Sequence, residues 1–178
     1  MADKQALRLA VIAALTTRAP ERLGRTAFMK LMFFLQTIRN VALGYEYRLY
    51  TYGPYDAQVL DDLSLAEAMG VVCSRSFQWP GGTGYTVDKG PNLEPTLDAN
   101  ADALKAISPD LDWVVSEFGS RSAGDLEVAS TIVYADRTAD GRKLPKDEIV
   151  RVVHQIKPHH SEAKIAAEYD NLSKKGLV

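Results

Sequence analysis

The chain has 178 residues, of which 46% are hydrophobic and 25% charged, with a formal net charge of −2. This is the balance of a soluble globular protein, and it excludes a global field drawing the molecule to nucleic acid or to an anionic membrane. The single cysteine, Cys73, rules out a disulfide framework and a thiolate zinc site within one chain, and it fits a reducing compartment.

The longest apolar stretch, LMFFL at residues 31–35, falls far short of the roughly 20 residues that a membrane helix needs. The N-terminus is interrupted by Arg8 and places Leu7, Ala10, Val11, Ala14 and Leu15 on one helical face. It therefore reads as an amphipathic helix of the fold and not as a targeting segment. A cytoplasmic location is expected.

In chain order, the first helix is predicted over residues 3–18, with Asp3 as cap and Pro20 just beyond its end. A second, over residues 24–40, carries Phe28, Leu31, Met32, Leu35 and Ile38 on its core face, and Met29, Phe33 and Phe34 widen that face almost all round. Such a helix is usually central. Residues 45–52, YEYRLYTY, alternate as a half-buried strand would. Gly53-Pro54 is predicted to turn the chain. A third helix then runs over residues 56–70, with Val59, Leu60, Leu63, Ala66 and Met69 at helical spacing and Gly70 at its end. Residues 71–77 and 85–88 read as strands joined by the loop 78–84, which includes Trp79. This is the order of a winged helix-turn-helix, with the loop as its wing.

Residues 89–95 read as a linker, and the rest as helices. They are predicted over 96–107, from the Ser108-Pro109 start to 118, from Ser122, from Pro145, and from Ser161. The fold expected is mainly α, of the α+β class. It has a winged-helix-like part over 1–90 with a small three-stranded antiparallel sheet, and a helical part over 91–178 packed on it as one domain.

Two stretches carry a family resemblance. Lys30, Leu31, Phe34, Leu35, Tyr52, Gly53, Pro54, Tyr55, Leu60, Leu63 and Gly70, together with the tail IKPHHSEAKIAAEYDNL at residues 156–172, resemble the YwgA-like family of bacterial and phage-associated proteins. The Tyr-Gly-Pro core is distantly similar to the Panacea antitoxin domain. The resemblance implies a winged-helix-like fold and a role around phage, antitoxin or regulatory systems. It implies no catalytic residues.

The third helix carries Asp56, Asp61, Asp62 and Glu67 and no Lys or Arg. Phosphate neutralisation supplies most of the affinity for DNA. Each acid placed near a phosphate would cost on the order of 1–4 kcal/mol, and Gln58 is the one plausible base reader. This helix is therefore not expected in a major groove. Its acids read either as a solvated face with a favourable first-turn charge at Asp56, or as a surface for a basic protein partner. Basic residues gather elsewhere, at Arg18, Arg22, Arg25, Lys30, Arg39 and Arg48, and at Arg142, Lys143, Lys146 and Arg151. They read as ordinary scatter or as a non-standard nucleic-acid face.

Five tyrosines stand within residues 45–55, where half would face the core and half a groove. An exposed Trp79 would anchor a partner. His154, His159 and His160 are all the histidines. Pro158 interrupts the helix that would align them, so a structural role outweighs a metal site. Cys73 reads as an inert strand residue. Gly81, Gly82 and Gly84 lack the lysine of a phosphate loop.

The reading reached is a non-catalytic interaction or regulatory protein, adaptor or antitoxin-like, with no cofactor. Its partner surface would be Tyr52, Tyr55, Asp56, Asp61, Asp62, Glu67 and Trp79. The alternative is a winged-helix DNA-binding regulator using Arg22, Arg25, Lys30, Arg142 and Lys143. A protein partner is expected, nucleic acid is the alternative, and a homodimer stays open.

Overall fold

The computed structural model describes residues 4–79, 82–138 and 144–178, with the Trp79 side chain excepted. Asp3, Pro80, Gly81, Arg142 and Lys143 lie outside the described residues. The described chain is mainly helical with small antiparallel sheets. It divides into two compact units, residues 1–46 with 56–121, and residues 47–55 with 122–178.

The first unit is built on two helices, α1 (Lys4–Arg18) and α2 (Arg25–Thr37). Leu9 through Leu15 are all buried in α1, and Phe28 through Leu35 in α2. The second helix is central, as its all-round apolar sequence predicts. The first is more deeply covered than its one-faced pattern predicts, because Ala10, Ala13 and Ala14 let neighbours approach from several sides. Those neighbours are α3 (Ala57–Ala68), α4 (Leu93–Ala99), α5 (Ala101–Phe118) and β4 (Gly82–Lys89). Phe34 stacks on Phe118 with centroids 4.0 Å apart, tying α2 to α5.

Local chemistry sets the ends of α3. Asp56 accepts from the Gln58 N–H at 2.9 Å as an N-cap. At the other end Gly70 adopts φ +69°, and Val71 N–H donates to Ala66 O at 2.8 Å. That closes the left-handed C-terminal motif for which glycine is suited. Strand β3 (Val72–Trp79) pairs antiparallel with β4, in register from Val72↔Lys89 to Trp79↔Gly82. The strands run further than predicted, β3 reaching Trp79 and β4 beginning at Gly82.

The second unit holds α6 (Ala123–Arg137), α7 (Lys146–Ile156) and α8 (Glu162–Lys174). Ser122 and Ser161 cap α6 and α8 through Asp125 N–H and Lys164 N–H, as their positions predict. A hairpin of β1 (Arg48–Tyr50) and β2 (Gly53–Tyr55) packs its second strand on α6.

Five expectations are corrected. The three-stranded sheet is replaced by two separate two-stranded sheets, β1-β2 and β3-β4. The long tyrosine strand shortens because side chains satisfy its first residues. The Gln36 amide bonds both the N–H and the C=O of Tyr45, at 2.9 and 2.8 Å, and Asp56 accepts from Glu46 N–H. The turn falls at Thr51-Tyr52, and Gly53-Pro54 lies in β2. Finally, α5 runs through Pro109. Leu104, Leu111, Val114 and Phe118 bury one face on both sides of it, and the Ser108 hydroxyl accepts from Arg18 at 3.0 Å in place of capping a new helix. The linker over 89–95 already contains the first turn of α4.

Candidate interaction surface

The β1–β2 hairpin is the best-defined candidate. Gly53 and Pro54 are buried, while Arg48, Leu49, Tyr50, Thr51 and Tyr52 are exposed. Tyr50 and Tyr52 expose 65% and 64% of their surface. Arg48↔Tyr55 and Tyr50↔Gly53 pairing puts Tyr50 and Tyr55 on one face, where their rings meet at 5.7 Å. Large aromatic rings held outward on a fixed backbone suit a protein contact, since they bury much area at little entropic cost.

The fixing is done from below. Gly53 adopts φ +89°, and a Cβ there would lie 2.6 Å from Thr131 Oγ1. Only glycine lets the strand lie this close to α6. The hydroxyls of Ser130 and Thr131 turn away to donate to the carbonyl of Glu127, at 3.2 and 2.6 Å. Lys157, wholly buried, donates to Thr51 O at 2.8 Å and to the Glu127 carboxylate at 3.0 Å, and its ammonium lies 5.6 Å from the Tyr52 ring centroid. A buried ammonium needs this pairing. The Tyr-Gly-Pro segment and the Lys-Pro tail thus meet at one place.

Sequence reasoning missed Lys157, which it took only as part of the tail beside the helix-interrupting Pro158. It also missed Leu49 and Tyr50 as exposed apolar residues. A lysine flanked by isoleucine and proline shows nothing of its remote partners, so the available signal was only the nearness of Lys157 to a helix end.

The acids of α3 separate. Asp62 is 1% exposed, so it has no surface to offer a partner and leaves the predicted contact set. It accepts from Tyr45 Oη at 2.9 Å and from Gln58 Nε2 at 3.0 Å, with Arg8 Nη1 at 3.5 Å. The Arg8 guanidinium also donates to Leu43 O and Gly44 O and covers the Tyr45 ring at 4.4 Å. Burial, and next the Asp62 charge, push the Tyr45 phenol far above its usual range. Asp56 is occupied as cap and loop tie. Asp61 is exposed and Glu67 half-buried.

Of the alternative nucleic-acid set, Lys30 is buried in α2 and cannot meet a phosphate. Arg25 stacks on the Tyr85 ring at 3.9 Å, and Arg22 pairs with Asp88 at 2.8 Å. Arg142 and Lys143, like the side chain of Trp79, lie outside the described residues. Arg18 and Arg39 are engaged by Asp112 and Asp110.

The histidines cluster without converging on a metal. His154 Nδ1–H donates to His160 O at 2.9 Å, and the rings of His159 and His160 lie 4.4 Å apart. Among the described residues no group of three or more His, Cys, Asp or Glu side chains is placed to hold a metal ion. Burial, then the neighbouring Lys164, His159 and Lys157, hold the His160 imidazole below its ordinary range. Cys73 is exposed and donates weakly to Lys89 O at 3.6 Å. No helix among the described residues is long and apolar enough to cross a membrane.

No protein-family model matches the chain, and no curated protein matches it. The functional reading therefore stands on these residues.

Proposed function

We propose that this chain is a non-catalytic protein-interaction or regulatory protein, adaptor or antitoxin-like, of the kind the YwgA-like resemblance implies. Its contact surface is the tyrosine hairpin, with Tyr50 and Tyr52 as anchors and Leu49 and Tyr55 beside them. One observation carries this reading: the hairpin exposes its aromatic rings while its backbone is locked to α6 by Gly53 and Lys157. Anchoring removes the ordering cost that a mobile loop would bear on binding. Within this proposal the elements α1 to β4 are read as winged-helix-like, on the order of three helices and a long hairpin. The acidic helix α3 is then a poor reader of DNA.

The test is capture of the tagged full chain from its native host, with and without nuclease, beside Tyr50→Ser/Tyr52→Ser. A stoichiometric protein that survives nuclease and is lost with the double variant supports the reading. Material that disappears with nuclease replaces it with nucleic-acid binding through the arginines. Retention of the same protein by the double variant removes the hairpin from the interface.

A further inference from the structure

A second surface, in the first unit, has the makings of a small-molecule site. A cleft of about 490 Å³ opens between the end of α1 and the β3–β4 hairpin, within the roughly 300–1,000 Å³ range of ligand sites. Ala19, Pro20 and Val87 contribute apolar surface, and Thr16 and Thr17 stand on the helix side. Their hydroxyls donate to the carbonyls of Ile12 and Ala13, at 2.8 and 3.0 Å. Their oxygen lone pairs remain able to accept. The hairpin is held in place by the Val87 N–H, which donates to Leu23 O at 2.9 Å.

On the hairpin side two arginines share one carboxylate. Arg22 Nε lies 2.8 Å from Asp88 Oδ1, and Arg75 Nε lies 3.0 Å from Asp88 Oδ2. The Arg75 contact is off the N–H direction, so it is an ion pair and not a hydrogen bond. The Asp88 side chain is largely enclosed at 15% exposure, whereas Arg22 and Arg75 are 62% and 67% exposed. Among the described residues neither guanidinium has another partner. A guanidinium carries five N–H donors, more than one carboxylate can take. Asp88 cancels one charge of the two, and Lys89 and Glu21 add one charge of each sign to the lining.

We propose that this cleft binds a small phosphate ester bearing hydroxyl groups, with a nucleotide and a sugar phosphate as the two possible sources. The phosphate sits on the guanidinium groups of Arg22 and Arg75, whose planar forks match it. The hydroxyl-bearing part donates to Thr16 and Thr17. Asp88 is a positioning residue that gathers the two arginines at one mouth. The C-terminal end of α1 is electronegative and Glu21 lies beside it, so a single anionic group at the hairpin is accommodated and a run of phosphates along the cleft is not. This site is independent of the tyrosine hairpin.

The experiment is isothermal titration of the full chain with AMP, glucose 6-phosphate and inorganic phosphate. Adenosine, glucose and a DNA duplex serve as controls, and Arg22→Gln, Arg75→Gln and Asp88→Asn as variants. Saturable binding of AMP assigns a nucleotide, and binding of glucose 6-phosphate a sugar phosphate. Either must weaken about tenfold or more in each arginine variant, with the thermal midpoint kept, and Asp88→Asn must weaken it as well. The proposal is overturned if neither ester binds, if inorganic phosphate binds as tightly as the esters, if only the duplex binds, or if the arginine variants bind like the original. Should a variant unfold, Arg75→Lys takes its place. It keeps the charge without the fork and must still bind more weakly.

Discussion

The ammonium group of Lys157 donates to the carbonyl oxygen of Thr51 across 106 positions of the chain, at 2.8 Å. Glu127, on α6, completes the site at 3.0 Å. One buried cation thereby fastens the turn of the tyrosine hairpin to the junction of α7 and α8. The hairpin's outward rings owe their fixed presentation to this contact.

Breaking that site from one side should be costly. Lys157→Ala leaves the Glu127 carboxylate without its partner and is expected to lower stability by about 3–5 kcal/mol. Lys157→Met combined with Glu127→Gln removes both charges and should recover a large part of the loss. Urea denaturation of the three proteins checks this. A single variant as stable as the original would mean that the pair contributes nothing.

Gly53 meets a double constraint, its left-handed φ and the Thr131 hydroxyl. Gly53→Ala should cost about 1–3 kcal/mol. Adding Thr131→Ala should restore only the steric part, because the backbone conformation is still unsuited to a side chain. Full rescue in thermal melts would show that φ carries no strain here.

Two neighbouring acids on α3 should behave in opposite ways. Asp62→Ala leaves Arg8 and Tyr45 without their central acceptor and should cost about 3–5 kcal/mol. Asp61→Ala, on the exposed face, should stay within about 0.5 kcal/mol. Equal effects in chemical denaturation would contradict the buried network.

His160 links stability to pH. Its folded pKa is lowered, chiefly by burial, so the unfolded chain binds the proton more readily. Stability from this group is complete above the unfolded value of about 6.5 and is lost as pH falls toward the folded pKa. Melts between about pH 7.5 and 5.5 should therefore show a smaller drop for His160→Asn than for the original. Parallel curves would remove His160 from the linkage.

What the sequence by itself determined was local. Ser122 and Ser161 cap their helices because a side-chain oxygen reaches an N–H three residues on, a relation contained in a few letters, whereas Asp56, read as a first-turn charge, is the N-cap. Gly70 ends α3 for a similar reason, and the all-round apolar run of α2 could only be central. The tertiary structure decided which remote groups meet. Alternation at residues 45–52 is compatible with any strand partner, and the Gln36 amide and α6 settled where the strand begins and what its hairpin packs on. Asp61 and Asp62 are identical in sequence terms, and only Tyr45 and Arg8, from other elements, make one of them interior. Pro109 reads as a helix start until a buried face spanning it outweighs the missing N–H. The same holds for Lys157 and for the arginines gathered by Asp88. A charge's role depends on the burial and partners that non-local packing brings to it, and neither is written beside it in the chain.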